Sequence, residues 1–154
     1  MKTKPRLVDY IFLGLAVLCF LFPLIFVIVK YPSLPDVIPS HFNARGEIDG
    51  WSGKASAAFF PSIVGFLMLA IMGPVQFFPQ VWNNTQGVPA CRLPRVIRST
   101  RTGLCLMLFL LESFFACTAV CAVLQRPIPS FVSFLFMGLI FGIIVFILVQ
   151  TFRK

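Results

Sequence analysis

A bundle of four membrane-spanning helices, all-α, with both termini in the cytoplasm and one ordered extracytoplasmic loop, is the fold class this sequence predicts. Three observations lead there. First, the 154 residues are 58% hydrophobic and only 12% charged, with a mean hydropathy of +0.93, whereas a soluble domain carries about 25% charged residues. Second, the apolar residues gather in four blocks, each near the roughly 20 residues that cross hydrocarbon as a helix with its amides satisfied internally. A strand of a membrane barrel needs only about 10 residues, alternating in character. Third, Lys and Arg are shared unequally between the segments that flank the blocks.

The chain reads as one domain, residues 1–154. The first span covers about 10–29, Tyr10 to Val29, with Pro23 as a kink site. Lys2, Lys4 and Arg6 precede it as they would a secretory signal. The apolar run, however, exceeds the roughly 7–15 residues of a signal core and ends in Val29-Lys30-Tyr31-Pro32 without a small-residue cleavage site, so an uncleaved helix is expected. A loop over 30–54 follows. The second span covers 55–78 and carries Pro61, Gly65 and Pro74; the third covers 103–124. Gln125-Arg126-Pro127-Ile128-Pro129 makes a tight turn into the fourth, 130–152.

Orientation follows from the basic residues. One side holds Lys2, Lys4, Arg6, Arg92, Arg95, Arg98, Arg101, Arg153 and Lys154; the other holds Lys30, Arg45, Lys54 and Arg126. Nine against four places both termini in the cytoplasm, here of a cell's inner membrane. Tyr10, Tyr31, Trp51, Phe59, Phe60, Phe77, Phe78 and Trp82 near the span ends suit an aromatic belt. The net charge of +8 therefore reads as topology signal and contact with anionic lipid, with the bilayer and not nucleic acid as the partner. Arg92, Arg95, Arg98 and Arg101, spaced by three, are expected to face headgroups. Asn83-Asn84-Thr85 matches a glycosylation sequon but falls on the cytoplasmic side. Of Cys19, Cys91, Cys105, Cys117 and Cys121, only Cys91 lies outside a span, and none has CxxC spacing; they read as packing residues.

The loop over 30–54 is not a plain connector. It holds the sole histidine and three of the five acids. Pro32, Pro35 and Pro39 stiffen it, and Asn43-Ala44-Arg45-Gly46 suits a tight turn with Asn first and Gly fourth. A short hairpin about Ala44-Arg45 is expected. Phe42, Ile48 and Trp51 would point together at the bundle mouth, with His41, Asn43, Arg45, Glu47 and Asp49 facing water or a ligand. Ser52 would cap the second helix. Asp49 and Lys54 would pair across the Gly50-Trp51 corner, Asp49 serving as a turn acceptor and Lys54 as a headgroup contact. Trp51 reads as an interface anchor. For His41 three roles stay open: a hydrogen-bonded lock of the loop, a ligand contact, or a metal ligand with Asp49 or Glu47. A lone histidine with scattered acids does not make a metal site, and no metal or cofactor is assigned.

The run Leu34-Pro35-Asp36-x-Ile38-Pro39-x-His41-Phe42-Asn43-x-x-Gly46-x-x-Asp49-Gly50-Trp51-x-x-Lys54 resembles the signature of the domain-of-unknown-function 1648 family. That family includes the N-terminal part of Sdp-type immunity proteins, bacterial membrane proteins that protect a producer from its own secreted toxin. The resemblance implies a membrane unit whose motif residues Pro39, His41, Phe42, Asn43, Gly46, Asp49, Trp51 and Lys54 bind a ligand or shape the loop. It also implies a secreted antibacterial toxin as the partner.

Within the spans the sharpest residue is Glu112, about 13 Å from the cytoplasmic end of the third block at 1.5 Å per residue. An intramembrane carboxylate is costly and faces a partner, water or the bundle interior. It reads as a proton or ion site, or as a neutral packing residue, with Gln76 and Gln150 as neighbours. Gly138-x-x-x-Gly142 permits close helix approach, within the bundle or at a homodimer or partner seam. No HExxH, GxSxG or phosphate-binding glycine loop is present, so a non-enzymatic role is expected. The reading favoured is recognition of a secreted toxin or peptide through the outer loop. The alternatives are a small proton- or ion-coupled transporter centred on Glu112 and an accessory subunit of a larger membrane complex.

Overall fold

The computed structural model describes residues 3–152. Lys2, Arg153 and Lys154 of the charge count lie outside the described residues. Four helices run α1 (Leu7–Lys30), α2 (Lys54–Val75), α3 (Leu93–Val123) and α4 (Ser130–Phe152). All four are long and apolar enough to cross a membrane. Between α1 and α2 the chain forms β1 (Val37–Phe42) and β2 (Ile48–Gly53), an antiparallel pair. The architecture is therefore mostly helical and not all-α: the segment between α1 and α2 is a two-stranded hairpin.

Helix boundaries shift where polar groups satisfy the ends. α1 starts at Leu7 because the Asp9 carboxylate accepts the Arg6 backbone N–H at 2.7 Å, occupying one of the free donors of the first turn. The same carboxylate accepts the Thr102 hydroxyl from α3. α2 stops at Val75, whose carbonyl accepts the Phe78 backbone N–H at 3.1 Å and the Trp82 indole N–H at 3.0 Å. α3 starts ten residues earlier than the hydropathy suggests. Its 31 residues reach about 46 Å at 1.5 Å per residue, well beyond the roughly 30 Å of hydrocarbon. Pro94 in its first turn is tolerated because no helical N–H is needed there.

α3 is the central element and packs against α1, α2 and α4. Its buried positions include Val96, Cys105, Leu108, Ala119 and Val123. Large apolar side chains such as Phe22, Phe60, Phe131 and Phe141 instead point outward, an arrangement suited to lipid, where no hydrophobic force drives them inside. The close α3–α4 approach is made at Gly103, where a Cβ would lie 2.7 Å from Ile147 Cδ1. A Cβ added at Gly138 or Gly142 would meet nothing within 4 Å, and both line an open groove between α3 and α4.

At the termini end, Arg101 is buried, contrary to the headgroup expectation, and donates to the Gln76 and Thr3 carbonyls at 3.0 Å each. The reason is rotational. Residues three apart fall about 60° short of a full turn, so four such residues span about 180° and cannot share one face. Asn84 of the sequon donates to Thr100 at 2.7 Å.

Candidate recognition hairpin and the groove beneath it

Most of the hairpin's chemistry is spent on its own shape. Asn43 Oδ1 accepts the backbone N–H groups of Arg45 at 2.9 Å and Glu47 at 3.1 Å, and its Nδ2 donates to Glu47 Oε2 at 2.8 Å. An Asn side chain that copies a backbone turn in this way fixes the loop locally. Gly46 follows with φ +79, a conformation glycine adopts without a Cβ penalty. It is also pressed against the α3–α4 connection: its carbonyl accepts the Ile128 N–H at 2.8 Å, and a Cβ there would collide with the Ile128 carbonyl oxygen. Ser130 Oγ donates to the Arg45 carbonyl at 2.7 Å. The hairpin tip is thus clamped to the turn before α4.

The hairpin base is fastened from the other side. Lys54 Nζ lies 3.3 Å from Asp36 Oδ1 and 5.6 Å from the centroid of the Tyr31 ring. Its expected partner Asp49 is elsewhere, because Asp49 Oδ1 meets His41 Nδ1 at 2.5 Å. Gly50 sits opposite His41, and a Cβ there would come within 2.8 Å of His41 Cβ. Beneath, Ile38 is fully buried among Val27, Leu34, Ala57, Ala58, Ala119 and Val123, and Pro39 is buried beside it. Ser52 does not cap α2; its hydroxyl faces Ser56 Oγ at 3.4 Å, and Gly53 holds the N-cap position.

Strand parity corrects a further expectation. Successive residues of a strand face opposite sides, so Ile48 and Trp51 cannot point together. Ile48 turns inward and is half-buried, while Asp49 and Trp51 share the outer face. Trp51 is 55% exposed, and the His41 and Asp49 side chains are 70% and 43% exposed. Neither their pairing nor Trp51 packs a core or closes a turn. Among the described residues, no group of three or more His, Cys, Asp or Glu side chains gathers around a metal position.

Below the hairpin lies a groove of about 180 Å³. His41, Phe42 and Asn43 form its rim, and Phe60, Phe114 and Thr118 are among its walls. Residues 18–66 match the family model of a domain of unknown function, DUF1648. That stretch, about a third of the chain, is similar to DUF1648. The matched stretch takes in the second part of α1, the hairpin and the first part of α2, so it includes the groove's rim and not its α3 wall. No curated protein and no solved structure matches the chain.

Glu112 lies outside the DUF1648 stretch and is 1% exposed. Neither expected neighbour reaches it. Gln76 Oε1 accepts the Cys105 thiol, and Gln150 Oε1 accepts Arg95 Nε at 3.2 Å. Sequence reasoning missed Asp9, Arg101 and Ser62 as buried polar positions. An acid three residues into an incipient helix was a usable signal for Asp9. A serine in a membrane helix carries no such signal.

Proposed function

We propose that this chain is a multi-pass protein of a bacterial cytoplasmic membrane that recognises a secreted peptide or small protein through the hairpin. Both termini lie in the cytoplasm and the hairpin faces outside. By its resemblance to Sdp-type immunity proteins, the ligand is an antibacterial toxin, and the role is protective and non-enzymatic. The observation that carries this reading is the division of labour within the motif. Asn43, Gly46, Gly50 and Lys54 are committed to shape, whereas the His41–Asp49 pair and Trp51 are held exposed by a fold that does not need them outside.

A polar pair beside an exposed indole, above an apolar groove, suits a peptide that presents both a hydrogen-bonding group and an apolar side chain. Occupancy of the hairpin and groove keeps such a ligand from inserting productively into the membrane. The test is survival. Cells lacking the gene are challenged with secreted material from related strains and complemented with wild type or His41→Ala. Rescue by wild type alone is the expected result. Rescue by both keeps protection and reduces His41 to scaffold, and no difference across a broad panel sinks the reading. Glu112→Gln should still protect; loss of protection together with loss of coupled flux would favour transport instead.

A further inference from the structure

A second polar place lies deeper in the bundle. Glu112, Phe115 and Ala116 of α3, Pro61 and Ser62 of α2, and Cys19, Phe20 and Pro23 of α1 enclose a cavity of about 10 Å³, close to the volume one water occupies by that measure. Glu112 is 1% exposed and Ser62 8%. Among the described residues, Glu112 Oε1 and Ser62 Oγ have no hydrogen-bond partner, and Glu112 enters no ion pair. Cys19 is the only titratable neighbour in that lining; α2 presents no charged group there and α4 does not take part. Pro23 has no N–H, so the Cys19 carbonyl lacks its ordinary helical donor. Gly65 completes the wall: a Cβ there would lie 2.7 Å from Glu112 Oε2, so a bare backbone makes room for the carboxyl.

An ionised carboxylate in hydrocarbon without a cation is strongly unfavourable. A carboxylic acid has both a donor and an acceptor, as does a serine hydroxyl, and a buried water needs two to four such partners. We propose that Glu112 and Ser62 form an intramembrane proton site, in which the neutral acid is bridged to the hydroxyl by one water and exchanges its proton with the hairpin side. The direction comes from the walls. Pro61 and Phe115 line both this cavity and the groove beneath the hairpin. Towards the termini, fully buried Leu108 and Cys105 and the stacked Phe12–Phe109 rings at 6.2 Å follow instead. A site open to one end holds a proton and does not conduct it across. This inference does not rest on toxin recognition.

The test is infrared spectroscopy of the protein in lipid vesicles. At neutral pH a protonated-carboxyl stretch is expected, lost in the near-isosteric Glu112→Gln and shifted in Ser62→Ala, with helix content by circular dichroism unchanged in both. Thr118→Phe, which fills the groove, should slow deuterium exchange of that band, whereas Leu106→Phe, in the α3–α4 groove lined by Gly138 and Gly142, should not. Absence of a band that Glu112→Gln removes means the residue is ionised and overturns the proposal. A band indifferent to Ser62→Ala overturns the bridge, and exchange slowed only by Leu106→Phe overturns hairpin-side access.

Discussion

A methyl group at position 65 would press on the Glu112 carboxyl at 2.7 Å, whereas one at position 14 would meet nothing within 4 Å. The two glycines are alike in sequence, each inside an apolar run, and differ only in what the fold places opposite. Gly65→Ala should therefore destabilise by about 1–3 kcal/mol, the usual cost of overpacking. Gly14→Ala should stay within about 1 kcal/mol of wild type. Unfolding midpoints in mixed micelles measure both, and equal midpoints would mean that the carboxyl turns aside freely. Residue-scale legibility was uneven for the same reason. Glu112 announces itself because an acid in hydrocarbon always needs an account. Ser62 and Gly65, the residues that give Glu112 its surroundings, are commonplace in membrane helices and gain meaning only from the α2–α3 contact.

The hairpin was readable as an element because turn chemistry is local. Asn43 with Gly46 three residues on specifies the reversal without reference to anything distant. Its register was not readable. Irregular pairing between Pro39 and Phe42 alters the alternation in β1, and the clamp on Ile128 and Ser130 comes from a connection about 80 residues away. Strand parity alone, though, sufficed to separate Ile48 from Trp51. Asn43→Ala removes the acceptor for two backbone amides and should loosen the turn by about 1–2 kcal/mol, since each such bond contributes roughly 0.5–1.5 kcal/mol. Asn43→Asp keeps the acceptor for both amides but sets a carboxylate against Glu47 Oε2, which Asn43 Nδ2 meets at 2.8 Å, so it should recover only part of the loss. Hydrogen exchange at the Arg45 and Glu47 amides reads the difference directly; protection unchanged in Asn43→Ala would show that the clamp on Ile128 suffices by itself.

At the scale of the molecule, four helices put the start of α1 and the end of α4 at one end and the hairpin at the other, and the proposed orientation rests on charge. Lys4, Arg6, Arg92, Arg95 and Arg98 stand at the termini end, Lys30, Arg45, Lys54 and Arg126 at the hairpin end. Burial of Arg101 withdraws one charge from the headgroup region but does not move it to the other side. The chain supplies its own probe of this orientation. Cys91 is exposed in the connection before α3, whereas Cys105 is buried and Cys19, Cys117 and Cys121 lie within the apolar helices. A membrane-impermeant maleimide should label Cys91 only after cells are opened. In a Cys91→Ser background, Ser40→Cys on the exposed side of β1 should label in intact cells. The reverse pattern would put the hairpin in the cytoplasm. Recognition of a secreted ligand would then fail, while Glu112 would still exchange its proton through the groove, now with the cytoplasmic side.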